Sequence, residues 1–352
     1  MTVVDMREEV KLGNRTIFST HLRSLIQDRL EKKQQVMLFL NRRGFAGFVS
    51  CRSCGHVFKC PHCDVSMTEH FSGKPNAKLS CHYCGYEIMR PMVCPECQSK
   101  MIAGFGLGTQ KVEEYVKSVF PEARVLRMDT DTTKNKDAHE KLLGQFANGE
   151  ADILVGTQMI VKGHDFKNVT LVGVLMADIS MYEADYRAGE RALQILSQAA
   201  GRAGRGEKPG EVVFQTYRPE HYSVVQAASQ DYTAFYEEEM VYRELGDYPP
   251  ASHMMAMLVT ASDEKRGEAL AIDVTKIAGE EKNINKEAGL RIIGPAKASI
   301  GKVNDIYRFV VYCKSADYER LISVKNRVEQ YLAGKELKQE AVQFDFNPID
   351  SY

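Results

Sequence analysis

The sequence predicts an α/β chain: a parallel-sheet lobe, interrupted by a cysteine-rich insertion and followed by an α+β domain of ferredoxin-like βαββαβ order. Three observations carry this reading. Apolar runs alternate with helical patterns up to residue 217, eight cysteines in four C-x-x-C pairs crowd into 51–97, and a second alternation of different order follows the YPP at 248–250.

Residues 20–33 place Leu22, Leu25, Ile26 and Leu30 at helical spacing. The run VMLFL at 36–40 reads as a strand buried on both faces, as parallel sheets require. After the cysteine-rich stretch the alternation resumes near Gly104. It predicts helices over 109–120, 136–148 and 187–200, and strands over 124–128, 152–156, 169–176 and 211–217. The lobe is therefore expected over 1–50 and 98–218, with 51–97 inserted into it and a helical connector over 219–247. The last domain, 248–352, reads β (254–260), α (264–284), β (290–296), β (307–313), α (318–332), β (342–346).

Hydrophobic residues make up 44% and charged residues 26% of the 352, ordinary values for a globular protein. No apolar run approaches the roughly 18–20 residues that span a bilayer, so no membrane association is expected. The opening MTVVDMREEV lacks the pattern of a signal peptide. A cytoplasmic location is expected, which argues against disulfides. With a formal net charge of −1, a nucleic-acid partner must be held by local basic patches.

The pairs are Cys51/Cys54, Cys60/Cys63, Cys81/Cys84 and Cys94/Cys97. Each C-x-x-C turns two thiolates to one side, and two pairs make the closed tetrahedral set of structural zinc, so two zinc ions are expected. Four regular pairs disfavour a redox-active C-x-x-C or an iron–sulfur cluster. Sequential pairing would force knuckles five residues apart to face each other. Nested pairing sets Cys60/Cys63 against Cys81/Cys84 across a 17-residue hairpin, and Cys51/Cys54 against Cys94/Cys97 at the base. Spacing prefers the nested scheme and leaves a crossed one open. His56, His62, His70 and His82 are surplus to both sites and are expected to be exposed or to face a nucleic acid; Cys313 reads as core filler.

Two further segments carry chemistry. GTQMIVKGHDF at 156–166 leaves a predicted strand, where open α/β sheets bind ligands. QAAGRAGR at 198–205 spaces Arg202 and Arg205 three apart among small residues, so that two guanidinium forks can meet phosphate oxygens. Alone, such a pair is more simply a solvated helix end. One strand and one helix after GTQMIVKG, it resembles motifs V and VI of the second RecA-like lobe of superfamily 2 helicases. The chain is most similar to the bacterial replication-restart helicases, the primosomal protein N′ family. The matching text is DMREE at 5–9, FLNRRGFAGFVSCRSCG at 39–55, the eight cysteines, 106–133, 156–178, 185–205 and YRELGDYPP at 242–250, with Lys167 standing where proline is expected.

The resemblance implies nested zinc pairing. It implies that Arg202 and Arg205 reach the nucleotide γ-phosphate, Arg205 as arginine finger, while Gln198 positions nucleotide or water and Gly163 and Asp165 face the nucleotide cleft. Thr157, Gln158, Asn41, Arg42 and Arg43 would contact DNA, although Thr157 and Asn41 can equally cap helices and the arginines can be plain surface charge. It also implies 3′→5′ unwinding of forked and single-stranded DNA, and contacts with single-stranded-DNA-binding protein and other primosome proteins. No G-x-x-x-x-G-K-[ST] occurs, and Gly301-Lys302 is followed by Val303. The chain thus reads as a C-terminal part lacking the first motor lobe, inactive toward ATP and Mg2+ by itself. The competing reading is a zinc-ribbon binding module without motor function.

Overall fold

The computed structural model describes residues 1–40, 49–51, 54, 56–70, 78–81, 83–100, 102–104, 108–129, 132–133, 136–161, 165–182, 185–284, 289–350 and 352. In chain order they form β1 (Thr2–Asp5), α1 (Met6–Lys11), α2 (Thr20–Glu31) and β2 (Gln35–Leu40). Five short strands follow: β3 (Val49–Cys51), β4 (Thr68–His70), β5 (Lys78–Ser80), β6 (Glu87–Met89) and β7 (Ile102–Gly104). Then come α3 (Thr109–Val119), β8 (Val125–Met128), α4 (Lys136–Ala147), β9 (Ile153–Gly156), β10 (Val169–Leu175), α5 (Ala188–Ala200), β11 (Glu211–Thr216), α6 (Tyr222–Ser229) and α7 (Tyr232–Leu245). The chain closes with β12 (His253–Ala261), α8 (Glu264–Ile284), β13 (Arg291–Val303), β14 (Ile306–Ser315), α9 (Tyr318–Ala333) and β15 (Ala341–Phe346).

These elements gather into two compact units: Met1–Phe45, Leu107–Glu183 and Arg187–Glu239 in one, Ala46–Gly106, Ala184–Tyr186 and Met240–Tyr352 in the other. The first is built on a six-stranded sheet of order β1-β11-β10-β2-β9-β8, parallel throughout. β2, β9 and β10 are buried along their whole length. Alternation sorts their side chains onto two faces. Met37, Phe39, Leu154, Val172 and Val174 pack with residues of α4, α5 and α6. Val36, Leu38, Ile153, Val155 and Leu171 pack with Leu22 and Ile26 of α2 and Val112 and Val116 of α3. α2 starts where the Ser19 side chain accepts a hydrogen bond from the Leu22 N–H.

In the second unit, β13-β14-β12-β15 form an antiparallel sheet. Renumbered within the domain that order is 2-3-1-4, the ferredoxin-like arrangement, and α8 and α9 cover one face through Leu270, Val274, Leu321, Val324 and Val328. The cysteine module contributes the pair β3-β7 and the small sheet β4-β5-β6. Its core holds Val49, Phe58, Met67, Leu79 and Ile102 together with three cysteines, and Val303 from the end of β13 packs against it.

Some boundaries differ from expectation for local reasons. The helical connector expected over 219–247 is two helices, α6 ending where Gln230 adopts a left-handed conformation. β13 runs seven residues past its expected end at 296, to Val303, crossing register shifts between Ile293 and Ala296 and between Lys297 and Lys302. β1 and α1 carry too short an apolar pattern to be read from sequence; Asp5 caps α1 by accepting from the Arg7 N–H.

Candidate metal centres and arginine cluster

Each C-x-x-C folds on the same local hydrogen bond. The N–H of the first cysteine donates to the carbonyl five residues on: Cys51 to His56, Cys60 to Val65, Cys81 to Tyr86 and Cys94 to Ser99, at 2.8–2.9 Å. Gly85 closes one knuckle at φ +75°, a conformation that costs glycine little, and Gln98 closes another at +58°.

The knuckles bring the eight sulfurs into two groups. Cys51, Cys54, Cys94 and Cys97 form one, and Cys60, Cys63, Cys81 and Cys84 the other, with ligand atoms within 4.8 Å of one another in each. Sγ···Sγ separations are 3.5 Å for Cys51–Cys97 and 3.6 Å for Cys54–Cys94 and Cys60–Cys84. Four thiolates about 2.3 Å from a tetrahedral zinc stand roughly 3.8 Å apart, so the spacing fits that ion. Burial pushes the Cys63 thiol up to about 12, against the pull of the Asn304 N–H on its sulfur. The His56 N–H pulls Cys54 down, but its neighbouring cysteines push it to about 12. Against burial, the N–H groups of Cys84 and Tyr83 hold Cys81 below the usual thiol range. Four thiols this close resist ionising together, and a shared divalent cation removes that resistance.

The two sites differ in setting. Cys54 and Cys97 are exposed, whereas Cys60, Cys63 and Cys81 are buried. His56 stacks edge-on against Phe58. His62 has a partner within its own unit: its Nδ1 lies 2.6 Å from Asp305 Oδ2.

The second cluster belongs to the parallel-sheet unit. Because β9, β2 and β10 run parallel, residues 157–168 return from the carboxyl edge of the sheet to its amino edge. Thr157 and Gln158 sit at the carboxyl edge, just past β9. Thr157 is half-buried with its carbonyl accepting from the Ile160 N–H, and the Gln158 amide nitrogen is buried without a hydrogen-bond partner among the described residues. Asp165 stands at the opposite edge, so the segment expected at one strand end spans both.

There Asp165 meets the arginines. Its Oδ1 accepts from Arg205 Nη1 at 2.8 Å and lies 3.5 Å from Arg202 Nη1. Arg205 Nε donates to the Gly201 carbonyl at 2.8 Å, fixing the guanidinium against the end of α5. Burial and the charge of Arg205 lower the pKa of Arg202, with Asp165 opposing. The loop has no room for larger residues: a Cβ on Gly206 would stand 2.2 Å from the Lys167 carbonyl oxygen, and Gly204 has φ +73° with the Gly210 nitrogen 2.6 Å from its would-be Cβ. Gln198 is exposed on the last turn of α5, one turn before Arg202. Two guanidinium groups thus converge on one exposed oxyanion. Asn41, Arg42, Arg43, Gly163 and His82 lie outside the described residues.

Sequence reading missed Lys302, Asn304 and Asp305, which meet the Cys60–Asp64 knuckle from the β13–β14 turn. The available signal was Asn-Asp between two strands, a pair suited to a tight hairpin. Among the described residues no helix is long and apolar enough to cross a membrane.

Three family models match in succession: the PriA DNA helicase Cys-rich region domain over residues 60–88, the Helicase conserved C-terminal domain over 96–207, and the Primosomal protein N C-terminal domain over 244–349. The replication restart protein PriA of Bacillus subtilis (strain 168) is 47% identical over 349 residues, 99% of this chain and 42% of that protein. The PriA of Synechocystis is 44% identical over 93% of this chain and 39% of its own length. The chain therefore spans about two fifths of these relatives. The Hef helicase domain of Pyrococcus furiosus matches at a TM-score of 0.26 and 16% identity, covering 55% of this chain and 24% of that one, a likeness too slight to carry weight. The helicase match takes in β8, β9 and β10 of the six-stranded parallel sheet, and the cysteine-rich match takes in the Cys60/Cys63/Cys81/Cys84 group. Matched nearly end to end, with all three models in order along it, this chain belongs to the PriA family of replication restart proteins, of which it carries the helicase C-terminal, cysteine-rich and primosomal protein N C-terminal domains.

Proposed function

We propose that the full-length protein is an ATP-driven 3′→5′ DNA helicase that reloads the replication machinery at stalled or recombined forks. In this reading the chain contributes the arginine side of its nucleotide site and two structural zinc centres. The observation that carries it is the convergence of Arg202 and Arg205 on the Asp165 carboxylate. An oxyanion held by two fixed guanidinium groups is the arrangement a γ-phosphate requires as charge develops on it, and Asp165 occupies it here. Arg205 is the finger, Arg202 a second anchor held by burial, and Gln198, exposed beside them, orients nucleotide or water. Gly163 and Asp165 complete this face of the cleft. By itself the chain, whose sequence holds no phosphate-cradling loop, does not hydrolyse ATP.

Thr157 and Gln158, at the carboxyl edge of the sheet, contact the DNA strand together with Asn41, Arg42 and Arg43. The segment from Thr157 to Asp165 then links DNA at one edge of the sheet to nucleotide at the other. Each four-cysteine group would hold a zinc ion, which would crosslink its two knuckles and offset part of the thiolate charge. Single-stranded-DNA-binding protein and other primosome proteins are its partners, in the cytoplasm.

The test is Arg205→Ala in the full-length protein. DNA-stimulated ATP turnover should fall by about 10³–10⁵ while zinc content and circular dichroism stay unchanged. Normal turnover would reduce Arg205 to a surface arginine and remove the basis of the motor reading.

A further inference from the structure

The inner four-cysteine site does not end at its own knuckles. β13 and β14 are joined by Asn304 and Asp305, both left-handed, at φ +50° and +61°, between the paired residues Val303 and Ile306. This is the two-residue hairpin turn in which asparagine and aspartate are among the few residues to adopt positive φ readily. Its tip lies on the Cys60–Asp64 knuckle. The Asn304 N–H donates to Cys63 Sγ at 3.2 Å. The Asp305 N–H donates to the His62 carbonyl at 2.9 Å, and the Asp64 N–H to the Lys302 carbonyl at 2.8 Å. Lys302 Nζ donates to the Pro61 carbonyl at 2.9 Å, and Asp305 Oδ2 meets His62 Nδ1 at 2.6 Å. A Cβ on Gly301 would stand 3.4 Å from Asp64 Oδ2, so the strand passes close to the knuckle as well.

Resting on the zinc reading above, we infer that the Lys302–Asp305 turn is the outer sphere of the Cys60/Cys63/Cys81/Cys84 centre, so that the C-terminal domain sets how firmly that centre holds its metal. Four thiolates around a dication leave a net charge of about −2. N–H groups aimed at the sulfurs stabilise that charge, and outer partners of this kind typically change metal affinity 10–100-fold. Cys63 is buried, so water cannot serve, and the donor arrives from 241 positions along the chain. The turn also holds both carbonyls between Cys60 and Cys63, which fixes the angle at which the two sulfurs are presented. The Cys51/Cys54/Cys94/Cys97 group, built from the other two knuckles, serves as the internal control.

The experiment is zinc release from the purified, zinc-loaded chain to a colorimetric chelator in excess. Two zinc ions at the start verify the zinc reading on its own; a starting content of none refutes that reading, separately from this one. Cys60→Ser identifies the phase belonging to the inner site. In Lys302→Ala/Asp305→Ala that phase should accelerate about tenfold, with full starting content and the other phase unmoved. Asn304→Gly, which keeps the N–H and tolerates the positive φ, should release at the unaltered rate. Unchanged inner-site release in the double variant, or equal acceleration of both phases, overturns the inference.

Discussion

The parallel-sheet lobe and the cysteine module are held together by different forces. In the lobe, β2, β9 and β10 are buried along their whole length, and their alternate side chains feed two separate cores. In the module, each strand has three residues, and three of the eight residues of the buried core are cysteines. Apolar burial at about 25 cal/mol per Å² can sustain the first and has little surface to act on in the second. The difference teaches where a metal would matter: on the zinc reading proposed above, a cation shared by four thiolates would supplement the module's small core, while the lobe would rest on its own packing.

Stripping the metal breaks that comparison most sharply. Binding free energies of structural zinc sites are of the order of 10–16 kcal/mol, which exceeds what so small a module can gain by packing. Treatment with a strong chelator under reducing conditions should leave amides of residues 49–104 exchanging freely with solvent, while those of β2, β9 and β10 stay protected. Retained protection in both regions would mean that the module's own packing suffices.

The same division explains what the sequence disclosed. Lobe strands are continuous apolar runs, so 36–40 and 169–176 fall within a residue of β2 and β10. Knuckles follow from C-x-x-C spacing, because four thiolates and a tetrahedron leave few arrangements. The meeting of Asp165 with Arg205 was not legible, since it depends on residues 157–168 crossing from one sheet edge to the other. Nor was the turn over Cys63: Gly294-Pro295 and Gly301 look like strand breakers, yet the strand absorbs them as register shifts and continues to Val303. Long-range docking leaves no periodic trace in the text of either partner.

A cavity in the lobe probes the other half of the comparison with a smaller effect. Leu154 of β9 is fully buried, in the core facing α4 and α5. Leu154→Ala should cost about 2–5 kcal/mol by lost transfer energy and the void left behind. Thermal or urea unfolding should show it, with zinc content unaltered. Loss of zinc in this variant would reveal that the two regions depend on each other for stability after all.

The smallest effect separates charge from packing within the lobe. Asp152, just before β9, accepts from the Arg124 N–H at 2.9 Å and from its guanidinium at 2.6 and 3.1 Å, tying the start of β9 to the start of β8. The Arg124 guanidinium outweighs burial and holds the Asp152 carboxyl below the usual carboxylate range. A depressed folded-state pKa contributes stability that is present above the unfolded value of about 3.9 and is lost as pH falls through the folded value. Asp152→Asn should therefore lower stability at pH 7 by only about 1 kcal/mol, the pair being partly open to solvent, and the difference from the unaltered chain should close near pH 2. Acid also releases zinc by protonating thiolates, but it does so in both chains and cancels in the difference. A deficit that persists undiminished at pH 2 would show that Asp152 acts through the shape of its hydrogen bonds and not through its charge.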